Sequence, residues 1–223
     1  YSIPIRIHVN GTRGKSSVTR LIGAALNEGG IKTITKVTGT YPRLILEDGT
    51  ESEIYRKSNA NIIEQLGIVK FAAEKKATAL VIECMALEPQ YQSITEMQMI
   101  HATIGVITNV RLDHVDVMGY SLPKIASVLG RTIPKNQHFF TSENQIPDVL
   151  EKIANQKKAV INFSEASSVS DYEMKSFNYI EHKDNVALAL DICKHLDIDR
   201  ETALRGMYKA NPDAGALNRY NVE

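Results

Sequence analysis

The chain has 223 residues, 43% of them hydrophobic and 23% charged, enough to bury a core as one large or two small domains, which excludes a disordered or fibrous protein. Its 26 Lys+Arg balance 26 Asp+Glu, so no overall field draws it to nucleic acid or to an anionic membrane, and any anion site must be local. The apolar runs fall short of the roughly 18 residues of a membrane span, no signal-peptide pattern is present, and Cys84 and Cys193 lack ligand-spaced neighbours, which argues against zinc and for the reducing cytoplasm.

Ile3, Ile5, Ile7 and Val9 recur at every second position and predict a strand, with Pro4 tolerable near its start. A loop from Asn10 to Gly14 follows. Val18, Leu21, Ile22, Ala25 and Leu26 then keep helical spacing from Ser16 until Gly29-Gly30 stops them. A second strand, Ile31 to Val37, leads through Thr38-Gly39-Thr40 to a hairpin, Arg43 to Leu46 and Glu51 to Tyr55, around Asp48-Gly49. Alternation resumes with a helix from about Ile62 to Lys76, a buried strand Ala79 to Glu83, a helix opened by Pro89 and a strand Ala102 to Asn109. Next come a helix from Ser121 through Leu129, a strand His138 to Thr141, a helix Pro147 to Gln156 and a strand Ala159 to Phe163. The polar stretch Ser164 to Ser170 reads as a mobile loop. Two helices, Asp184 to Leu196 and Arg200 to Ala210, end before Asn211-Pro212-Asp213. The expected fold class is α/β: one P-loop domain whose mainly parallel sheet is covered by helices on both faces, with a small antiparallel hairpin insertion. Ligands of such a fold bind at the carboxyl ends of the strands.

Gly11-Thr12-Arg13-Gly14-Lys15-Ser16-Ser17 lies between a strand and a helix N-terminus, where backbone N–H groups and the helix dipole meet phosphate oxygens. Lys15 would reach the β- and γ-phosphates and Ser16 a Mg²⁺ ion. The usual pattern has a further glycine where this chain has Val9, so the match is the shortened G-x-x-G-K-S. Glu83 closes its strand, and Asn109, Asp113 and His114 follow the next one, so two polar clusters share the carboxyl edge. A strand-end carboxylate is more often simply solvated, but a triphosphate brings magnesium and needs hard ligands there. His8, His101, His138, His182 and His195 have no comparable context. The absence of an N-K-x-D string and of an Asp-x-x-Gly switch disfavours a GTPase and leaves ATP as the nucleotide.

These motifs resemble the Mur ligase superfamily, whose central ATPase domain carries G-T-x-G-K-[ST], a strand-end glutamate and N-x-x-x-D-H, here Gly11 to Ser16, Glu83 and Asn109 to His114. With Thr38-Gly39-Thr40, Asn61 to Gln65, Glu83-Cys84-Met85-Ala86, Asp113 to Gly119 and Asn211 to Ala216, the chain looks like the ligase subunit of poly-γ-glutamate synthases, of the CapB/PgsB type. The resemblance implies ATP- and Mg²⁺-dependent γ-glutamyl amide formation through an acyl phosphate, with glutamate and growing poly-γ-glutamate as substrates. It implies Lys15, Glu83 and His114 as catalytic residues, and Gly11, Thr12, Arg13, Gly14, Lys15, Ser16, Ser17 and Asn185 as nucleotide contacts. For metals it implies Ser16, with Thr38 or Thr40 near it, at a first Mg²⁺, and Glu83 and His114 as ligands of a second ion. Partners would be membrane-bound synthase or export subunits, with the protein at the inner face of the cell membrane. Homo-oligomerisation stays open, and nucleic acid is not expected.

One position departs from the family: where Mur and folylpolyglutamate ligases have a carbamoylated lysine, this chain has Leu129, with Lys124 and Lys135 the nearest cations. The expected organisation is an ATPase domain over residues 1–216 and a tail over 217–223, in which Arg219 could meet phosphate, without the further α/β domain of resembling ligases. With no initiator Met before Tyr1, an upstream anchor stays open. Two other functions compete: a P-loop kinase of a small carboxylate or hydroxyl, and a nucleotide-sensing module of a membrane assembly.

Overall fold

Strand alternation sets the two sides of the molecule. In β1 (Ile5–Asn10), Ile7 and Val9 turn to one helical layer, whereas His8 and Asn10 turn to the other. The computed structural model describes residues 2–39, 41–56 and 61–213. After β1 come α1 (Lys15–Glu28), β2 (Thr33–Val37), the hairpin β3 (Arg43–Ile45) and β4 (Glu51–Glu53), α2 (Glu64–Glu74) and β5 (Ala79–Glu83). Then follow α3 (Pro89–Ile94), continued by a π-helical turn Thr95–Ile100, β6 (Ile104–Ile107), α4 (Val115–Met118), α5 (Leu122–Leu129) and β7 (His138–Thr141). The chain goes on through α6 (Pro147–Gln156), β8 (Val160–Phe163), α7 (Asp171–Lys175), α8 (Lys183–His195) and α9 (Arg200–Tyr208).

The strands form one sheet in the order β4-β3-β2-β5-β1-β6-β7-β8. All pairs from β2 to β8 are parallel, and only the hairpin runs antiparallel, as the interrupted alternation predicts. α1, α8 and α9 cover one face through Val18, Leu21, Ile22, Val186, Ile192 and Met207. On the other face, α2 and the π-helical turn cover Ile34, Leu80 and Ile82, while α5 and α6 cover Ile107 and Phe139. β1 lies between β5 and β6, so the chain leaves it on one side and returns on the other, which opens a crevice at its carboxyl end.

Several expectations are refined. Leu129 is fully buried among Ile107, Ile125 and Phe139, so an apolar side chain there belongs to the core. Lys124 and Lys135 are exposed. The stretch Ser164 to Ser170 is a loop that is tied down: it contains a 3₁₀ turn, buries Val169, and uses Ser170 with Glu173 as a capping box for α7. Ser121 precedes α5 without a side-chain capping bond. Thr40, Arg219 and the tail lie outside the described residues.

Candidate nucleotide and metal site

The loop after β1 is laced to the segment after β6. Thr12 N donates to the Asn109 carbonyl at 3.0 Å, Arg13 N to Asn109 Oδ1 at 3.1 Å, and Thr108 Oγ1 to the Arg13 carbonyl at 2.6 Å. Gly11 has φ +135°, and a Cβ there would stand 2.0 Å from Thr108 Oγ1, so only glycine permits this close approach. Gly14 precedes α1 in the left-handed region at φ +78°. No acidic side chain occupies the first turn of α1 and no side chain caps it, which leaves its N–H groups to an anion. Lys15 Nζ bonds the carbonyls of Gly11 and Thr12 at 2.8 and 3.3 Å, holding a cation inside the loop. Arg13 is exposed and pairs with Asp113 at 3.3 Å.

Glu83, 3% exposed at the end of β5, accepts at Oε2 from Ser16 Oγ at 3.0 Å and from Thr38 N at 2.6 Å. Three strand ends thereby converge on one carboxylate: the loop of β1, the end of β2 and the end of β5. The hydroxyls of Ser16 and Thr38 and the Glu83 carboxylate are hard oxygen donors, the set Mg²⁺ accepts. Among the described residues no three His, Cys, Asp or Glu side chains cluster as a metal cage. His114, in the left-handed region at φ 43° before α4, lines a small cleft with Gly11, Thr12, Lys15, Cys84 and Met118. No contact joins it to Glu83 among the described hydrogen bonds.

On the other side of the loop, a cavity of about 610 Å³ is lined by Arg13, Gly14, Ser17, Asn109, Arg111 and Asn185 among others. Asn185, in the first turn of α8, donates Nδ2 to Glu181 Oε1 at 2.8 Å, and its amide packs so closely on Gly14 that a Cβ there would meet Oδ1 at 2.7 Å. Burial pushes the Glu181 carboxyl above its usual range, against the hydrogen bonds from His182 and Asn185. α8 thus closes one wall of the cleft.

The Mur ligase middle domain model matches residues 9–212. The chain belongs to the Mur ligase middle domain family. It is 44% identical over 218 residues to the capsule biosynthesis protein CapB of Bacillus anthracis, covering 97% of this chain and 47% of that protein. To the PGA synthase CapB of Bacillus subtilis (strain 168) it is 40% identical, over 97% of this chain and 56% of that one. It therefore spans about half the length of these relatives. Among solved structures, the bifunctional folylpolyglutamate synthase/dihydrofolate synthase of Yersinia pestis, complexed with AMPPNP and Mn, matches with a TM-score of 0.70 at 14% identity, covering 95% of this chain and 58% of that one. FolC of E. coli in complex with ADP and DHPP gives 0.68 at 15% identity, covering 94% and 57% of the two chains.

Within this Mur ligase middle domain, sequence reasoning missed the residues that support the site from below. Lys36, fully buried on β2, bonds Thr38 Oγ1 at 2.7 Å and Glu64 Oε1 at 3.0 Å. Burial pulls Lys36 below the usual lysine range. Burial would raise the Glu64 carboxyl, but Arg56 and Lys36 together hold it below the carboxylate range. Glu143, at the end of β7, accepts from Val110 N and Arg111 Nη1 and so fixes the strand end that leads to His114. His8 is fully buried and its Nδ1 lies 2.8 Å from Glu96 Oε2. Burial opposes its charge, yet the neighbouring Cys84 and the bonded Glu96 carboxylate raise it to about 9. A lysine inside a strand of Thr-Ile-Thr-Lys-Val was the one signal available for Lys36, and it did not discriminate, since an amphipathic exposed strand would use it identically.

Proposed function

We propose that this chain is the ATP-binding part of an amide ligase that joins glutamate through γ-glutamyl bonds. The observation that carries it is the convergence of Ser16, Thr38 and Glu83 beside the phosphate loop, in a chain 40–44% identical to two CapB proteins, one of them named a PGA synthase. The loop amides from Gly11 to Ser16 would cradle the phosphates, and Lys15 would exchange the Gly11 and Thr12 carbonyls for phosphate oxygens. Ser16, Thr38 and Glu83 would hold Mg²⁺, and His114, which lines the same small cleft as Lys15, would add a ligand at a second ion; the ions, when bound, supply charge neutralisation on the phosphate oxygens. Asn185 and Ser17 would line the nucleoside side of the cleft.

A substrate carboxylate oxygen takes the γ-phosphoryl group as ADP leaves, giving an acyl phosphate. The amine of the next glutamate then attacks the acyl carbon, loses a proton and expels inorganic phosphate. Growing poly-γ-glutamate is the acceptor or donor chain, with membrane-bound synthase or export subunits as partners and the inner face of the membrane as the place of action. No helix of the described residues is long and apolar enough to cross a membrane, so attachment there would come through partners or other segments. Titration with AMPPNP and Mg²⁺ tests the binding step: metal-dependent nucleotide affinity supports it, and its absence refutes it.

A further inference from the structure

A fully buried cation supports the site from the face of β2 opposite to α1. Ile34, on that face, packs with Leu80 and Ile82, so an aliphatic residue would suit position 36. Instead Lys36, 0% exposed, turns its ammonium to the carboxyl edge and bonds Thr38 Oγ1 at 2.7 Å. Glu64, 3.0 Å from Lys36 Nζ, is itself clasped by Arg56 at 2.6 and 3.0 Å. Its neighbour Gln65 donates to the Glu83 carbonyl at 3.1 Å, so the start of α2 touches both strands that supply the cation site.

An ammonium has protons and no lone pair, so towards Thr38 it can only donate. The Thr38 hydroxyl must accept from Lys36, which leaves its own proton and one lone pair for other partners, while the Thr38 N–H bonds Glu83 Oε2 at 2.6 Å. We propose that Lys36, anchored by Glu64, is a positioning residue of the cation site, fixing the Thr38 hydroxyl beside Glu83. The inference rests on the assignment of Ser16, Thr38 and Glu83 as the magnesium site. Stability alone does not account for Lys36, because replacing a buried ion pair by apolar groups is often neutral or stabilising. Orientation of a metal ligand by a partner behind it does, and losing such a partner typically weakens metal binding about 10–100-fold.

Charge must be separated from geometry, since an ammonium alone repels a divalent ion and its carboxylate partner cancels that repulsion. The decisive variant is therefore Lys36→Met/Glu64→Gln, which removes the pair without changing net charge. Mn²⁺ affinity is measured by electron paramagnetic resonance with AMPPNP present, alongside AMPPNP affinity without metal and thermal melting. Mn²⁺ binding is expected to weaken about tenfold, with metal-free nucleotide affinity unchanged and no further loss on adding Thr38→Val, because both changes remove one coupled unit. Lys36→Met alone should also weaken Mn²⁺, although a repelling charge has gone. Wild-type Mn²⁺ affinity in the charge-neutral variant, tighter binding in Lys36→Met, or fully additive loss with Thr38→Val would overturn the role of Lys36. A wild-type protein that binds AMPPNP without any metal dependence would refute the magnesium site itself.

Discussion

Lys15 is the residue whose removal separates chemistry from folding most cleanly. Its ammonium contacts only the carbonyls of its own loop among the described hydrogen bonds, so Lys15→Ala should leave the melting temperature unchanged. ATP turnover should fall by about a hundredfold or more, as when one preorganised charge is withdrawn from a developing negative charge. Unchanged hydrolysis would remove the phosphate loop from the mechanism. Glu83→Gln keeps size and loses charge, so it should weaken Mg²⁺-dependent activity far more than metal-free nucleotide binding, and His114→Ala should act likewise. A normal Mg²⁺ titration in either variant would exclude that residue from the cation site. His8 sets a pH signature of folding. Its pKa rises from 6.5 to about 9 in the native state, so the stabilisation is complete below about pH 6.5 and disappears as pH climbs through about 9. Melting temperature should fall over that window in the wild type and fall less in His8→Gln. Of these residues, Lys15 and Glu83 were legible because loop context and strand ends mark them. His8 and Lys36 were not, because their partners Glu96 and Glu64 are remote in sequence and reach them only through the fold.

Two glycines in helices report how the elements pack. Gly206 on α9 lies against α1 so closely that a Cβ would stand 2.6 Å from the Ala24 carbonyl oxygen, and backbone cannot move aside as a side chain can. Gly206→Ala should destabilise the protein by about 1–3 kcal/mol as α9 is pushed off α1. Gly67 on α2 has open space around it, with nothing within 4 Å of where a Cβ would stand, so Gly67→Ala should stabilise by about 0.5–1 kcal/mol through helix propensity. Chemical denaturation of both variants checks the pair; equal effects would contradict the packing described. The long elements follow from periodicity, and β7 and α6 coincide with their expected bounds. α4 and α7, of 4 and 5 residues, offer too few turns for a period to emerge, and the π-helical turn after α3 leaves the α-helical spacing altogether.

At the scale of the molecule, parallel strands bring the ends of β1, β2, β5, β6 and β7 to one edge, and each delivers a residue to the site or its support. This convergence was legible from the alternation of strands and helices, whereas the strand order that seats β1 between β5 and β6 was not, since crossovers leave no mark on local spacing. The cavity proposed to take the nucleotide lies along that edge. Amide formation requires both substrates in near-attack geometry with water kept from the acyl phosphate. Residues 1–223 on their own should therefore bind AMPPNP and Mg²⁺ while forming little γ-linked product; efficient polymer synthesis by them would contradict this.

The most direct measurement of the central claim is product analysis by mass spectrometry after the full-length protein is incubated with ATP, Mg²⁺ and glutamate. The proposed ligase releases ADP and inorganic phosphate in step with γ-linked glutamate, and the Lys15→Ala variant does so more slowly by about a hundredfold or more. A stable phosphorylated product with no amide, or nucleotide binding without turnover, would contradict it.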